Sequence, residues 1–384
     1  MHFECPVCKK LISLHSDKLG SGKVQCTNCT KSVETPKTRL SPGAVLGDFI
    51  MREETGQGGM GIVYRSDQIS FARPAAVKIL SEKHSTKFSS IADFLREARQ
   101  AALLNHSNIV QAYAVGNIGN IYYFAMEYVD GRTTKEMLDT DGRIPINDAV
   151  CVIRDVASAL DYTWEVFQMI HCDIKPDNIM VNSIGETKLM DLGLAVHADY
   201  SYDIDNDEVL GTVQYISPEQ LTGKPLDIRS DIYSLGATFY HYVTGQIPFD
   251  AETKREMGAK RLKSDPVPPN KIKRDIPTDI SDVIMKMLKR YPEERYQNGD
   301  ELIDALRSYK KRQRIYSNRN VSEKSTTLPK IAVSNTTSTV PLTSGGIVKS
   351  SKNKNNNAML ITMALLGGLI VTILIIVLIF LVMR

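Results

Sequence analysis

Asp173, Lys175 and Asn178 stand in one short run, His171-Cys172-Asp173-Ile174-Lys175-Pro176-Asp177-Asn178. Asp191 follows in Asp191-Leu192-Gly193, after the apolar Ile179-Met180-Val181. These four side chains lie within 19 residues, and phosphoryl transfer needs this combination. One carboxylate orients an attacking hydroxyl, an ammonium neutralises the migrating charge, and an amide with a second carboxylate holds a divalent cation on the phosphates. The bland alternative is a polar loop that carries Asp and Asn by chance. The residues upstream weigh against it.

Gly56-Gln57-Gly58-Gly59-Met60-Gly61 runs straight into β-branched Ile62-Val63. A lone G-x-G-x-x-G is a weak signal, because it also opens dinucleotide-binding domains, where a helix follows. Here a strand follows, so the run resembles the glycine-rich hairpin that covers phosphates in protein kinases. Ala75-Ala76-Val77-Lys78-Ile79-Leu80 is a short apolar strand with one lysine, and a buried lysine needs a partner. Glu97 is that partner, on a segment whose Ile91, Phe94, Leu95, Ala98 and Ala101 keep helical spacing, with Ser90 as its N-cap. Leu104–Val110 reads as a turn and a strand. Taken together, residues 45–308 resemble a complete eukaryotic-type protein kinase domain, of the Ser/Thr kind also common in bacteria.

The resemblance implies an α+β, two-lobed fold. The smaller lobe, 45–128, would be a five-stranded antiparallel sheet with the Glu97 helix, and the larger lobe, 129–308, mainly helices. It implies ATP and Mg2+ (or Mn2+) as cofactors, and transfer of the γ-phosphate to Ser/Thr hydroxyls of protein substrates. Asp173 would accept the hydroxyl proton, Lys175 would steady the γ-phosphate, and Asn178 and Asp191 would bind the metal. Lys78, positioned by Glu97, would hold the α- and β-phosphates under the amides of Gly56, Gly58, Gly59 and Gly61. Val63, Ala76 and Met180 match the positions that sandwich adenine, and Met126 lies at the back of that pocket or in ordinary core packing. The backbone of Glu127 and Val129 would meet the adenine edge. By the same resemblance Glu219 pairs with Arg295, and Asp231 anchors the backbone of the Asp173 loop. Leu192 replaces the usual Phe, and Cys172 stands where most activated members carry Arg. Asp-Ile-Lys-Pro-Asp-Asn with Thr212 favours Ser/Thr over Tyr as acceptor. A pseudokinase would lack some of the catalytic residues, and every catalytic position is intact.

Four of the six cysteines form two C-x-x-C pairs, Cys5/Cys8 and Cys26/Cys29, separated by 17 residues. That spacing fits a four-thiolate Zn2+ site in a small ribbon spanning residues 1–35. So small a module requires such a staple. Nothing in the sequence ties the ribbon's fold to the kinase core, and its role is open. Residues 36–44 read as a linker. Cys151 and Cys172 have no disulfide framework, which points to a reducing compartment.

The net charge of +3 is unevenly distributed. Residues 1–44 carry a net +4 and residues 309–384 a net +10, leaving −11 for residues 45–308. An acidic catalytic region with basic flanks argues against nucleic acid as a partner and suits a tail near anionic lipid. No aromatic residues interleave the ribbon's lysines as a stacking surface requires. Residues 309–357 are rich in Ser, Thr, Asn and Lys without periodicity, and are expected to be a disordered basic juxtamembrane segment spanning about 40 Å. Residues 358–383 lack any charge and Arg384 follows. This length crosses a bilayer as a single transmembrane helix. The expected location is the cell membrane, single-pass, with the ribbon and kinase regions cytoplasmic and chains associating as homodimers or clusters.

Overall fold

The computed structural model describes residues 1–15, 18–58, 61–191, 196–197 and 213–307. Gly59, Leu192, Ser201, Thr212, the stretch 309–357 and the apolar stretch 358–383 lie outside the described residues. Among those described, no helix is long and apolar enough to cross a membrane.

The N-terminal cysteines sit in two antiparallel hairpins. β1 (His2–Glu4) pairs with β2 (Leu11–Ser13), and β3 (Lys23–Gln25) with β4 (Ser32–Glu34). The two turns are built alike. The Lys9 N–H donates to the Cys5 carbonyl and the Cys5 N–H to the Lys10 carbonyl, both at 2.9 Å. Thr30 and Lys31 repeat the pattern with Cys26 at 2.9 and 2.8 Å. Lys9 and Thr30, each just after a second cysteine, both hold φ 61°. This left-handed conformation turns the chain back without glycine. Phe3, Ile12, Leu14 and Val33 close the small core with Cys5 and Cys26.

Residues 36–44 are a fixed connection. The Thr35 N–H donates to the Gly22 carbonyl at 2.8 Å, the Gly20 N–H to the Pro36 carbonyl at 2.9 Å, and the Glu4 N–H to the Gly43 carbonyl at 2.8 Å. Phe3 and Ala44 form an isolated antiparallel bridge, and Leu40 packs against the core of the next sheet. The ribbon is therefore seated on the domain that follows.

That domain opens with β5 (Val45–Leu46), β6 (Phe49–Gln57), β7 (Gly61–Gln68) and β8 (Arg73–Leu80). α1 (Glu82–Ser85), α2 (Phe88–Leu103), β9 (Ala112–Ile118) and β10 (Ile121–Glu127) follow. Among the described residues the sheet has six strands in the order β5-β6-β7-β8-β10-β9, all neighbours antiparallel. The expected five become six because the two-residue β5, too short for any alternation, pairs with β6 through Val45 and Leu46. On β8 the two-residue period buries Ala75, Val77 and Ile79 in the core and turns Ala76 and Lys78 to the other face. α2 starts at Phe88 rather than at Ile91, and no side chain caps it. Ser90 lies in its first turn, its hydroxyl 3.3 Å from His84 Nδ1, because α1 leads the chain in early. The inner face of α2 buries Phe94, Glu97, Ala98 and Ala101. The stretch expected as a strand before β9 makes a single parallel bridge, Ile109 to Leu189. There the chain crosses to pair with the other lobe.

The larger lobe contains β11 (Gly131–Thr133), α3 (Thr134–Asp141), α4 (Ile146–Phe167), β12 (Met169–Ile170), β13 (Ile179–Asn182), β14 (Thr187–Leu189) and β15 (Val196–His197). It continues with α5 (Pro218–Leu221), α6 (Ile228–Thr244), α7 (Lys254–Lys263), α8 (Pro269–Ile272) and α9 (Thr278–Met287). α4 and α6 carry its core, in which Ile153, Val156, Leu160, Leu235 and Phe239 are almost fully buried. β11, β13 and β14 form one small sheet, and β12 pairs with β15. The Asp173 run lies between β12 and β13, held over the start of α6.

Candidate active site

Lys78 meets two carboxylates. Its Nζ donates to Glu97 Oε1 at 2.8 Å and to Asp191 Oδ1 at 3.1 Å. β8, α2 and the end of β14 thus converge on one ammonium. Burial alone would lower its pKa, but Asp191 and Glu97 outweigh this and hold it above the ordinary lysine value. Asp191 has φ 61°, and its carboxylate is 46% exposed, so it faces the cleft.

The Asp173 loop is fixed from below. The Asp231 carboxylate, in the first turn of α6, accepts from the His171 N–H at 2.7 Å and the Cys172 N–H at 2.9 Å. Burial raises Asp231 to about 6, with the His171 ring and both amides opposing. The His171 ring takes one tautomer. Its Nε2–H donates to the Met190 carbonyl at 3.0 Å, and its Nδ1 accepts from the Asp173 N–H at 3.3 Å. His171 therefore joins the Asp173 loop to the segment that delivers Asp191.

Asp173 Oδ2 accepts from Lys175 Nζ at 2.7 Å and from Asn178 Nδ2 at 3.0 Å. The same amide donates to the Asp173 carbonyl at 2.8 Å. Asn178 can thus turn only its Oδ1 toward a cation. Asp173 Oδ1 is buried and has no hydrogen-bond partner among the described residues. A buried carboxylate oxygen left without a donor is costly, and an incoming hydroxyl would satisfy it.

Gly58 and Gly61 bond to each other across the end of β6 and the start of β7. The Gly58 N–H donates to the Gly61 carbonyl at 2.8 Å and the Gly61 N–H to the Gly58 carbonyl at 3.3 Å. A Cβ on Gly61 would lie 1.9 Å from the Ile79 carbonyl oxygen, so only glycine fits there. A Cβ on Gly56 or Gly58 would meet nothing within 4 Å.

Of the residues expected around adenine, Val63 lies opposite Lys78 and Ala76 opposite Met126 in the sheet register. Met180 is on β13 opposite Thr133, and Val129 is buried. Met126 packs against the large core while remaining half-buried, so it fits both readings given for it. The Glu127 N–H is taken by the Gln111 carbonyl at 2.8 Å. Its carbonyl is thus the group that can meet an adenine edge. Its carboxylate pairs with Lys188 on β14 at 2.7 Å, a pairing between the lobes that the sequence gives no sign of.

Two further residues escape sequence reading. Gln220, fully buried on α5, donates from Nε2 to the Cys172 carbonyl at 2.9 Å, while its Oε1 accepts from Ser217. Arg261 on α7 is 1% exposed and donates to the carbonyls of Val213 at 2.6 Å and Gln214 at 2.7 Å. Each contact crosses at least 47 residues, and no local periodicity signals it. Glu219 and Arg295 were legible from resemblance, and they meet in a two-armed ion pair at 2.6 and 2.8 Å.

The four ribbon cysteines converge separately. Cys5 and Cys29 Sγ are 3.8 Å apart and Cys8 and Cys26 Sγ 3.7 Å apart, with all four sulfurs within 4.8 Å of one another.

The protein kinase domain family matches residues 49–305. A probable serine/threonine-protein kinase of Clostridium acetobutylicum is 37% identical over 269 residues, 70% of this chain and 41% of the relative. The serine/threonine-protein kinase PknB of Mycobacterium leprae is 37% identical over 273 residues, and PknB of Mycobacterium tuberculosis 36% over 274. Each match covers 70% of this chain and 43% of the relative. The chain thus spans about two fifths of the length of the curated relatives it matches. It belongs to the protein kinase family.

Proposed function

We propose that this chain is a serine/threonine protein kinase that transfers the γ-phosphate of ATP to Ser/Thr hydroxyls of protein substrates, anchored by its apolar C-terminal stretch in the cell membrane with its ribbon and kinase domain in the cytoplasm. The observation that carries the catalytic part is the buried Oδ1 of Asp173, without a hydrogen-bond partner among the described residues, beside Lys175 and Asn178. A substrate hydroxyl donates its proton there while its oxygen bonds the γ-phosphorus, and the bond from that phosphorus to the β-phosphate bridging oxygen breaks to release ADP. Lys175 neutralises charge on the moving group. Lys78 holds the α- and β-phosphates, with Glu97 keeping it in place. Gly56, Gly58, Gly59 and Gly61 cover the phosphates. Val63, Ala76, Met126 and Met180 hold the adenine, with the backbone of Glu127 and Val129 on its edge. Mg2+ (or Mn2+), held by Asn178 Oδ1 and Asp191, supplies charge neutralisation on the phosphates. Relatives at 35–37% identity bearing serine/threonine-protein kinase names support the acceptor class.

The ribbon's donor set fits Zn2+. Four thiolates at about 2.3 Å from a tetrahedral ion stand about 3.8 Å apart, and the paired sulfurs lie at 3.7 and 3.8 Å. Cys5, Cys8, Cys26 and Cys29 would hold it as a structural metal.

The test is phosphate incorporation from labelled Mg-ATP into a generic protein, followed by phosphoamino-acid analysis, with metal analysis of the same preparation. Phosphoserine and phosphothreonine with one zinc per chain are expected. Phosphotyrosine alone, or no incorporation, would refute the acceptor class or the activity, and absence of zinc would refute the ribbon reading.

A further inference from the structure

Strand β6 carries the first half of the hairpin over the phosphates, and its support ends early. Phe49 and Met51 are buried, but every residue from Glu53 to Gln57 is exposed, and the register with β7 slips between Met51 and Glu54 and again between Glu54 and Gly56. Arg52 is the last residue of β6 before the glycines that is not exposed. All three of its guanidinium nitrogens are engaged. Nη1 and Nη2 donate to the two oxygens of Glu4 at 2.7 and 3.2 Å, and Nε donates to Asp67 Oδ2 on β7 at 2.6 Å. The Glu4 carboxylate is only 9% exposed. One planar side chain thus ties both strands of the hairpin to the ribbon.

Glu4 in turn has little freedom. Its N–H is bonded to Gly43, and the next residue is Cys5, one of the four clustered thiols. The ribbon's apolar core is small, so a metal on its four cysteines would add to what holds Glu4 in place.

We propose that Arg52 is a positioning residue for nucleotide binding, held through Glu4 by the metal-loaded ribbon. This rests on the kinase and zinc readings above. The ribbon is then a part of the nucleotide site, and loss of its metal loosens the grip on ATP without touching the phosphoryl-transfer residues.

The experiment measures equilibrium binding of a fluorescent ATP analogue with Mg2+ to the full chain, together with zinc content and steady-state kinetics. Wild type is compared before and after zinc is stripped, and so are Glu4→Lys and Glu4→Gln. Glu4→Lys should weaken binding about tenfold and Glu4→Gln about threefold, the range of one partly buried charge-assisted pair. One zinc per chain should remain, and kcat at saturating ATP should stay within about twofold while the KM for ATP rises. Stripping zinc from wild type should weaken binding about as much as Glu4→Lys does. Stripping Glu4→Lys should add little, because both act through one contact. Wild-type affinity in the stripped protein or in Glu4→Lys would overturn the proposal, as would fully additive losses. If Glu4→Lys loses zinc, the shape-conserving Glu4→Gln decides. A wild type that binds no nucleotide, or no metal, would instead refute the underlying readings.

Discussion

At Cys172 a buried thiol replaces the arginine that the family resemblance leads one to expect. The residue has φ 65° and packs with Ile170 and Leu226. Burial pushes its thiol well above the ordinary value, and the charges of Asp231 and Asp173 add to this, so it stays neutral at physiological pH. A neutral side chain in an apolar cluster cannot grip a phosphate. Of the arginines of α2, Arg96 already pairs with Asp93, which leaves the exposed Arg99 as the alternative grip. Basal activity should therefore persist without phosphorylation between Asp191 and Glu219. Ser201 offers a hydroxyl in that stretch, and phosphatase-treated protein and Ser201→Ala should both stay within about threefold of untreated wild type. A drop of about a hundredfold in either would show that a phosphate switch exists.

Among the elements, α6 does most to hold the site. Asp231 in its first turn fixes the Asp173 loop, and its Arg229 carbonyl and Ser230 hydroxyl join the pair made by Glu219 and Arg295. Arg295 is fully buried, so removing it strands a buried carboxylate. Arg295→Met should cost about 3–5 kcal/mol, on the order of 10 °C in melting temperature. A shift below about 2 °C would show that the pair is dispensable. This level was also the most legible. The apolar β8 run with its one lysine, the α2 spacing and the two C-x-x-C turns are local patterns, and the chain keeps them. What stayed hidden was either too short to show a period, as with β5, or long-range. Arg52 and Glu4 are 48 residues apart, and no spacing rule links an exposed-looking arginine to an acid beside a cysteine. The helix start at Phe88 was missed because capping preference at Ser90 yields to the turn of α1 before it.

For the whole molecule, the charge distribution orders the parts. An acidic kinase region lies between a basic N-terminal module and a basic tail that leads into an uncharged apolar stretch. If that stretch is a late-inserting anchor, a chain truncated after Ser350 should remain in the supernatant with its transfer activity intact, and the full chain should sediment with membranes and resist alkaline extraction. A truncated form that still pellets, or a full chain that alkali releases, would contradict the anchor.

The central claim is that Lys78, Asp173 and Asp191 act on the phosphates and the acceptor, while the fold stands without them. Measuring γ-phosphate transfer by Lys78→Met, Asp173→Asn and Asp191→Ala, with circular dichroism and melting curves to show that each stays folded, tests it most directly. Loss of about a hundredfold or more is expected for each, since each removes a charge acting in the transition state. Transfer within about tenfold of wild type in any one of them would contradict the account.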